Sequence, residues 1–283
     1  MSWHRGGGDV RRTDLLEYRV IERDPGAPAR TFLLLHGIAS THHQFDSGWD
    51  SLAAHGTVLI PDLLGFGGSL DRSRRHFSLE DHLAAVDGVL RAVDPDAGEL
   101  VVAGHSLGGA LGLCVAARHA ARTSSVTTWG APLHSDAHEA RAHVRSMGRI
   151  NSMFGLDTRL AQVTCRLICR YPSIARPIYH RVRPKLPTDV LEGSMQHSWW
   201  SYVAAMRSII LDVPWLAAID ELGEAAVPVN ITAGSDDTAV DHELMRAFAS
   251  RIPTCSFDVL DGMDHDLPIA HPQLCVDRLV ALL

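Results

Sequence analysis

The chain has 283 residues, 46% of them hydrophobic and 21% charged, with a formal net charge of −7. That is enough apolar material for a buried core, and it excludes the basic footprint of a nucleic-acid-binding protein. No stretch reaches the ~18 uninterrupted apolar residues of a membrane span, and the polar, glycine-rich start from Met1 to Arg12 lacks the apolar run of a secretion signal.

In chain order, Leu15 to Ile21 reads as a strand, and Thr31 to Leu35 and Thr57 to Ile60 as short buried strands. The basic cluster Arg72 to Arg75 reads as a solvated loop. Leu79 to Val93 carries apolar residues at helical spacing, behind a cap-like Ser78 and Asp81. A strand from Leu100 to Ala103, a helix from Ala110 to Arg122 and a strand from Ser125 to Trp129 follow. From Leu133 to Leu216 the pattern becomes helical: Ala137 to Phe154, Asp157 to Arg170, Thr188 to Gln196 and Trp199 to Leu211. Pro172, Pro177, Pro184 and Pro187 read there as loops or helix ends. Strands return at Val227 to Thr232 and Ser256 to Leu260, followed by helices over Asp241 to Ile252 and Pro272 to Leu283. Alternating strands and helices predict an α/β fold with a doubly wound, mostly parallel sheet. Residues 1–132 and 217–283 form its core, and 133–216 is an inserted helical block.

The five cysteines, Cys114, Cys165, Cys169, Cys255 and Cys275, are odd in number and scattered. They predict no disulfide framework and suit a reducing, cytoplasmic setting. Cys165 and Cys169 share a helix face, but a zinc site asks for about four ligands. They read as core residues, and no metal or cofactor is expected.

Gly104-His105-Ser106-Leu107-Gly108 is a G-x-S-x-G pentapeptide. It lies between a predicted strand and a predicted helix, the context of a nucleophile elbow. A sharp turn there lifts a serine hydroxyl off the strand end, and the flanking glycines let strand and helix approach closely. Two further motifs join it, Leu33-Leu34-Leu35-His36-Gly37 and the loop Asp62 to Ser69, and the pentapeptide itself extends to Gly109 as GHSLGG. From Phe32 to the C-terminus, the chain thereby resembles the α/β-hydrolase superfamily in its serine esterase and lipase form.

A serine hydroxyl needs a base, usually a histidine held by a carboxylate. The resemblance places the carboxylate after the strand Val227 to Thr232. The pattern G-x-x-D-x-x-V, counted from Gly234, gives Asp237 with Val240 in register, and Asp236 is its neighbour alternative. It places the base after the last strand, at His265, with Gly262 before it and Pro272 after it. His271 is the local competitor. The oxyanion would be held by backbone N–H groups of Leu107, after the nucleophile, and of Ile38, by resemblance. His36 and His105 are expected to brace loops.

The helical block from 133 to 216 matches the place of a cap over the site in this superfamily. Met147, Ile150, Met153, Phe154, Trp199, Trp200, Tyr202 and Met206 would line a substrate pocket or fill the cap's own core. The expected activity is hydrolysis of a carboxylic ester or lactone of a small hydrophobic substrate through an acyl-enzyme, without cofactor. The alternative is a non-hydrolytic binding or biosynthetic protein on the same fold.

Overall fold

The computed structural model describes residues 7–94, 96, 98–146 and 158–283. Eight strands make one sheet in the order β1-β2-β4-β3-β5-β6-β7-β8. These are β1 (Asp9–Arg12), β2 (Glu17–Ile21), β3 (Arg30–Leu35), β4 (Thr57–Pro61), β5 (Glu99–His105), β6 (Thr123–Trp129), β7 (Val229–Gly234) and β8 (Cys255–Leu260). The β1–β2 and β2–β4 pairs are antiparallel, and every pairing from β4 to β8 is parallel.

Alternation along the central strands sorts their side chains onto two buried faces. On β3, Leu33 and Leu35 face one core, while Phe32 and Leu34 face the other. The first core is closed by α1 (Leu79–Val93), α2 (Leu107–Arg118) and a later helix, Trp215–Glu224. The second is closed by the 3-10 segment Ser47–Ala54 and the C-terminal helix Pro272–Val280. Both faces are covered, so the strands read as continuous apolar runs rather than alternating ones. Helix α1 has the predicted limits, and its N-terminus is a capping box: Ser78 accepts from Asp81 N–H while Asp81 reaches back to Ser78 N–H.

Between β6 and β7 every helix or strand among the described residues is helical. These are α3 (Ala137–Ser146), α4 (Arg159–Arg170), α5 (Pro172–Val182), α6 (Thr188–Gly193), α7 (Trp199–Ala205) with a π-helical extension Met206–Leu211, and α8 (Trp215–Glu224). Helices α9 (His242–Arg251), α10 (Leu267–Ala270) and α11 (Pro272–Val280) complete the chain. The predicted helix to Phe154 is seen as far as Ser146; Met147, Ile150, Met153 and Phe154 lie outside the described residues.

Three of the elements that the sequence reading misses have a plain physical reason. Strand β1 is wholly exposed and carries no apolar alternation, so only its pairing with β2 marks it. Helix α5 was hidden by its prolines. Pro172 occupies its first turn, where a missing N–H costs nothing, and Pro177 lies inside it. Helix α8 begins right after Pro214, next to the expected boundary of the insertion. Among the described residues no single helix is long and apolar enough to cross a membrane. The bent pair Trp199–Leu211 and Trp215–Glu224 passes by length and composition, but Ala205, Ile209, Trp215 and Leu222 are buried inside the protein.

Candidate active site

Ser106 stands between the end of β5 and the first residue of α2, at φ 53° and ψ −120°. A non-glycine residue rarely occupies this region, and holding it there costs ~1–3 kcal/mol. Its neighbours fix it. Ser106 N–H donates to Trp129 O at 2.8 Å, and Ser106 O accepts from Gly109 N–H at 2.9 Å. The turn closes only because its flanks lack side chains. A Cβ on Gly104 would lie 2.2 Å from Gly108 O, and one on Gly108 would lie 2.2 Å from Leu35 O. Helix α2 therefore starts at Leu107, three residues earlier than its apolar pattern indicates.

Asp237 lies in the loop after β7 and His265 in the loop after β8. His265 Nδ1 donates to Asp237 Oδ2 at 2.9 Å and also lies 3.0 Å from Oδ1. Asp237 Oδ1 accepts a further bond from Ala239 N–H at 2.9 Å. Burial opposes the charge on Asp237, but the bond and charge of His265 and the Ala239 N–H together outweigh it and hold the carboxyl below its usual range. Burial likewise opposes charge on His265, and the bond and charge of Asp237 outweigh it, so the imidazole sits above its ordinary value. With Nδ1–H committed to the carboxylate, Nε2 is the nitrogen free to take a proton. The two alternatives point elsewhere. Asp236 is exposed, with its N–H on Met263 O, and His271 is exposed at the start of α11.

Ser106 Oγ and His265 Nε2 are not in hydrogen-bond contact, and such contacts often tighten only when substrate is bound. Two glycines bring the parts together. A Cβ on Gly37 would come within 3.4 Å of Ser106 Cβ and 3.0 Å of His105 Nδ1. Gly130 follows the carbonyl that anchors Ser106 and has φ +59°; a Cβ there would lie 2.8 Å from Asp237 Oδ2 and 3.0 Å from His265 Nδ1. Gly37 belongs to the His36-Gly37 motif read from the sequence, whereas Gly130 is not marked out there. Gly130 carries only the weak signal of a glycine ending a strand.

The first turn of a helix leaves its N–H groups without intrahelical partners, and Leu107 opens α2. Ile38, just past β3, has no acceptor for its N–H among the described residues. Its loop is braced by His36, whose Nδ1 donates to Gly37 O at 2.8 Å while Nε2 accepts from Leu63 N–H at 2.9 Å. Burial lowers His36 to about 4, which keeps the ring in that neutral tautomer. His105 braces the other side. Its Nε2 donates to His265 O at 2.8 Å, the two rings lie 4.8 Å apart, and burial pushes its value down to about 3. Asp62 is tied into its own loop, with Oδ1 on His42 N–H and Nδ1 and Oδ2 on Gly68 N–H at 2.7 Å. These bonds organise the Asp62 to Ser69 turn.

The residues of the insertion expected near substrate divide. Trp199 and Tyr202 pack around Cys165 and Cys169, Met206 joins the main core, and Trp200 is partly exposed. A cavity of about 340 Å³ opens in the insertion, with Arg72, Cys169, Arg176, Glu192 and Gln196 among its walls; Ser106, Asp237 and His265 are not.

The mostly parallel eight-stranded sheet, with a serine in a strained turn at the end of its central strand β5, has the architecture of an α/β hydrolase. The sequence profile of the Alpha/beta hydrolase family matches residues 32–278, and the chain belongs to that family. It is 22% identical over 277 residues to a probable lysophospholipase, BODYGUARD 4, of Arabidopsis thaliana, covering 90% of this chain and 63% of that protein. The chain thus spans less than two thirds of the length of such curated relatives. Among solved structures it resembles a thermophilic esterase from Thermogutta terrifontis, with TM-score 0.67, 19% identity, and 94% and 92% of the two chains covered. It also resembles an enol-lactonase from Burkholderia xenovorans LB400, with TM-score 0.67, 17% identity, and 97% and 99% covered. At such identity these likenesses establish the fold.

Proposed function

We propose that the protein is a serine hydrolase that cleaves a carboxylic ester or lactone of a small hydrophobic substrate. The observation that carries this reading is Ser106 in the left-handed turn between β5 and α2, with the bonded Asp237–His265 pair on the loops that follow β7 and β8. Ser106 Oγ attacks the carbonyl carbon while His265 Nε2 takes its proton, and Asp237 stabilises the imidazolium. The N–H groups of Leu107 and Ile38 receive the developing oxyanion; losing one such donor typically costs ~10²–10³ in rate. His265 then gives the proton to the leaving alcohol. Water, deprotonated by the same nitrogen, releases the acid and restores Ser106. The insertion serves as a cap that excludes bulk water. None of these steps calls for a metal or organic cofactor. A curated relative named as a probable lysophospholipase, together with esterase and lactonase structural neighbours, supports an acyl ester substrate.

The test is labelling by a fluorophosphonate probe alongside hydrolysis of p-nitrophenyl esters of increasing acyl length. Labelling at Ser106, abolished in Ser106→Ala, together with ester turnover, is the expected result. An unlabelled Ser106 and no turnover across esters and lactones would select the non-hydrolytic alternative.

A further inference from the structure

Helix α4 turns Cys165 and Cys169 toward one point inside the insertion, and His197, on the loop before α7, meets them there. All three are buried. The two sulfurs are 3.8 Å apart, and His197 Nε2 lies 3.3 Å from Cys165 Sγ and 3.6 Å from Cys169 Sγ. Zinc bonds of about 2.3 Å to sulfur and 2.0–2.1 Å to nitrogen, at tetrahedral angles, place ligand sulfurs about 3.8 Å apart and sulfur about 3.5 Å from nitrogen. The three atoms therefore already sit at three corners of a zinc tetrahedron. A disulfide would instead need the sulfurs near 2.05 Å. The other ring nitrogen, His197 Nδ1, has no protein partner, so the ring's polar engagement is all on the side of the sulfurs. We propose that Cys165, Cys169 and His197 bind a zinc ion, with an exogenous fourth ligand such as water entering from the cavity that Cys169 lines. Binding releases the two thiol protons. Two thiolates, neutral imidazole and Zn²⁺ then sum to no net charge, which suits a buried site.

The placement gives the ion a structural task. Gln196 O accepts from Gly67 N–H at 2.8 Å, and His197 forms an isolated bridge with Phe66, so this segment is stitched to the core loop after β4. Zinc on His197 would fasten α4 to that segment without touching Ser106. The test is metal content of the full chain produced with added Zn²⁺, and the absorption of the Co²⁺-substituted protein. One zinc per chain and a thiolate-to-cobalt charge-transfer band are expected, both lost in Cys165→Ser/Cys169→Ser and in His197→Gln. Circular dichroism keeps a misfolded variant from being counted as support. Wild-type protein that takes up neither ion, or a folded double variant that still binds one, overturns the site.

The opposite faces of α4 and α5 carry a second, independent feature. Leu160, Val163, Leu167, Ile174, Ile178 and Val182 recur at helical spacing, and each is more than half exposed. Residues 158–188 hold seven of the chain's 26 Lys and Arg and none of its 33 Asp and Glu, while the protein as a whole is at −7. An apolar stripe flanked by arginine is the pattern of a helix lying in a membrane interface. A second copy of the same patch would bring like charge against it. We infer that this face docks on an anionic phospholipid surface. Co-sedimentation with vesicles of phosphatidylcholine alone, or mixed with phosphatidylglycerol, tests it using Ser106→Ala protein, so that lipid turnover plays no part. Binding only to the anionic vesicles is expected, weakened by salt, weakened about fivefold by each of Arg166→Gln and Arg170→Gln, and lost in Ile174→Asp/Ile178→Asp. Absent binding, equal binding to neutral vesicles, or a lipid-free dimer that the Asp variant dissolves overturns it.

Discussion

The turn at Ser106 and the outer helices of the insertion are opposite solutions to the same chain's demands. At Ser106 the backbone is forced into a disfavoured conformation, and close-packed glycines and carbonyls on every side hold it there. Along α4 and α5 the backbone is helical, and apolar side chains that could have been buried face outward instead. The core spends stability to aim one hydroxyl, whereas the insertion leaves apolar surface uncovered. The difference teaches that the proposed chemistry would depend on backbone constraint, while the proposed docking of the insertion would depend on side-chain pattern.

The largest effect that would break this contrast is at Ser106 itself. Ser106→Ala is expected to lower kcat for ester hydrolysis at least about 10⁴-fold. Ser106→Gly should be equally inactive yet more stable by ~1 kcal/mol, because glycine relieves the left-handed strain. Urea denaturation read by circular dichroism measures the second claim; a Gly variant less stable than the Ala variant would remove strain from the account.

Next in size is Asp237→Asn, expected to cost about 10³–10⁴-fold in kcat/KM because the amide no longer holds the imidazole in its working tautomer. The pH profile adds a signature. In the proposed mechanism His265 must be neutral to act as base, and it is held above the ordinary histidine value of about 6.5. Wild-type kcat/KM should therefore rise with pH through an apparent pKa above that value. Asp237→Asn should move this limb downward, since the charge that raised it is gone. An unmoved limb would mean that another group controls it.

Much of this site was legible in the sequence, because its residues are specified by type. A nucleophile elbow needs small residues at Gly104 and Gly108, so the motif is a direct trace of the close approach to Gly108 O and Leu35 O. Asp237 and His265 were legible through the resemblance, which gave their spacing from Gly234 and Gly262, and the structure brings their side chains together. Gly130 was not legible, because its demand comes from residues over a hundred positions away. Helix α5 was lost because Pro172 and Pro177 are punctuation in a local reading, while packing keeps the segment helical. His197 could not be joined to Cys165 and Cys169 by spacing: a gap of 28 residues carries no periodic signal, and only the fold closes it.

Gly130→Ala sharpens the contrast on a smaller scale. The added methyl would press on Asp237 Oδ2 and His265 Nδ1 at a backbone position already at φ +59°. Displacing reacting groups by about 1 Å costs ~10²-fold in rate. Activity should fall by about that factor, with the protein still folded and Ser106 still labelled, more slowly, by the fluorophosphonate. A variant with unchanged turnover would show that the Asp237–His265 pair tolerates movement, and the core would then be less constrained than its glycines indicate.

The smallest effect is on stability against acid, and it also follows from the core's closeness. His36 and His82 are buried in the folded core and lowered to about 4, chiefly by burial, while their unfolded values lie near 6.5. Between those limits the unfolded chain binds protons that the folded chain refuses, so stability rises with pH there. It should be fully present above about pH 6.5 and fall as the pH drops toward about 4. His265 works in the opposite sense. Its raised value contributes stability below pH 6.5 that is lost as the pH climbs through its folded pKa, which sets a shallow decline on the alkaline side. Replacing His82, whose two ring nitrogens have no protein partner, with a residue that does not titrate should flatten the acid limb without altering the alkaline one. Urea midpoints across pH 4–8 for His82→Leu and wild type would separate the two limbs. If both limbs moved together, the histidines would be acting through a general loosening of the core rather than through their own protons.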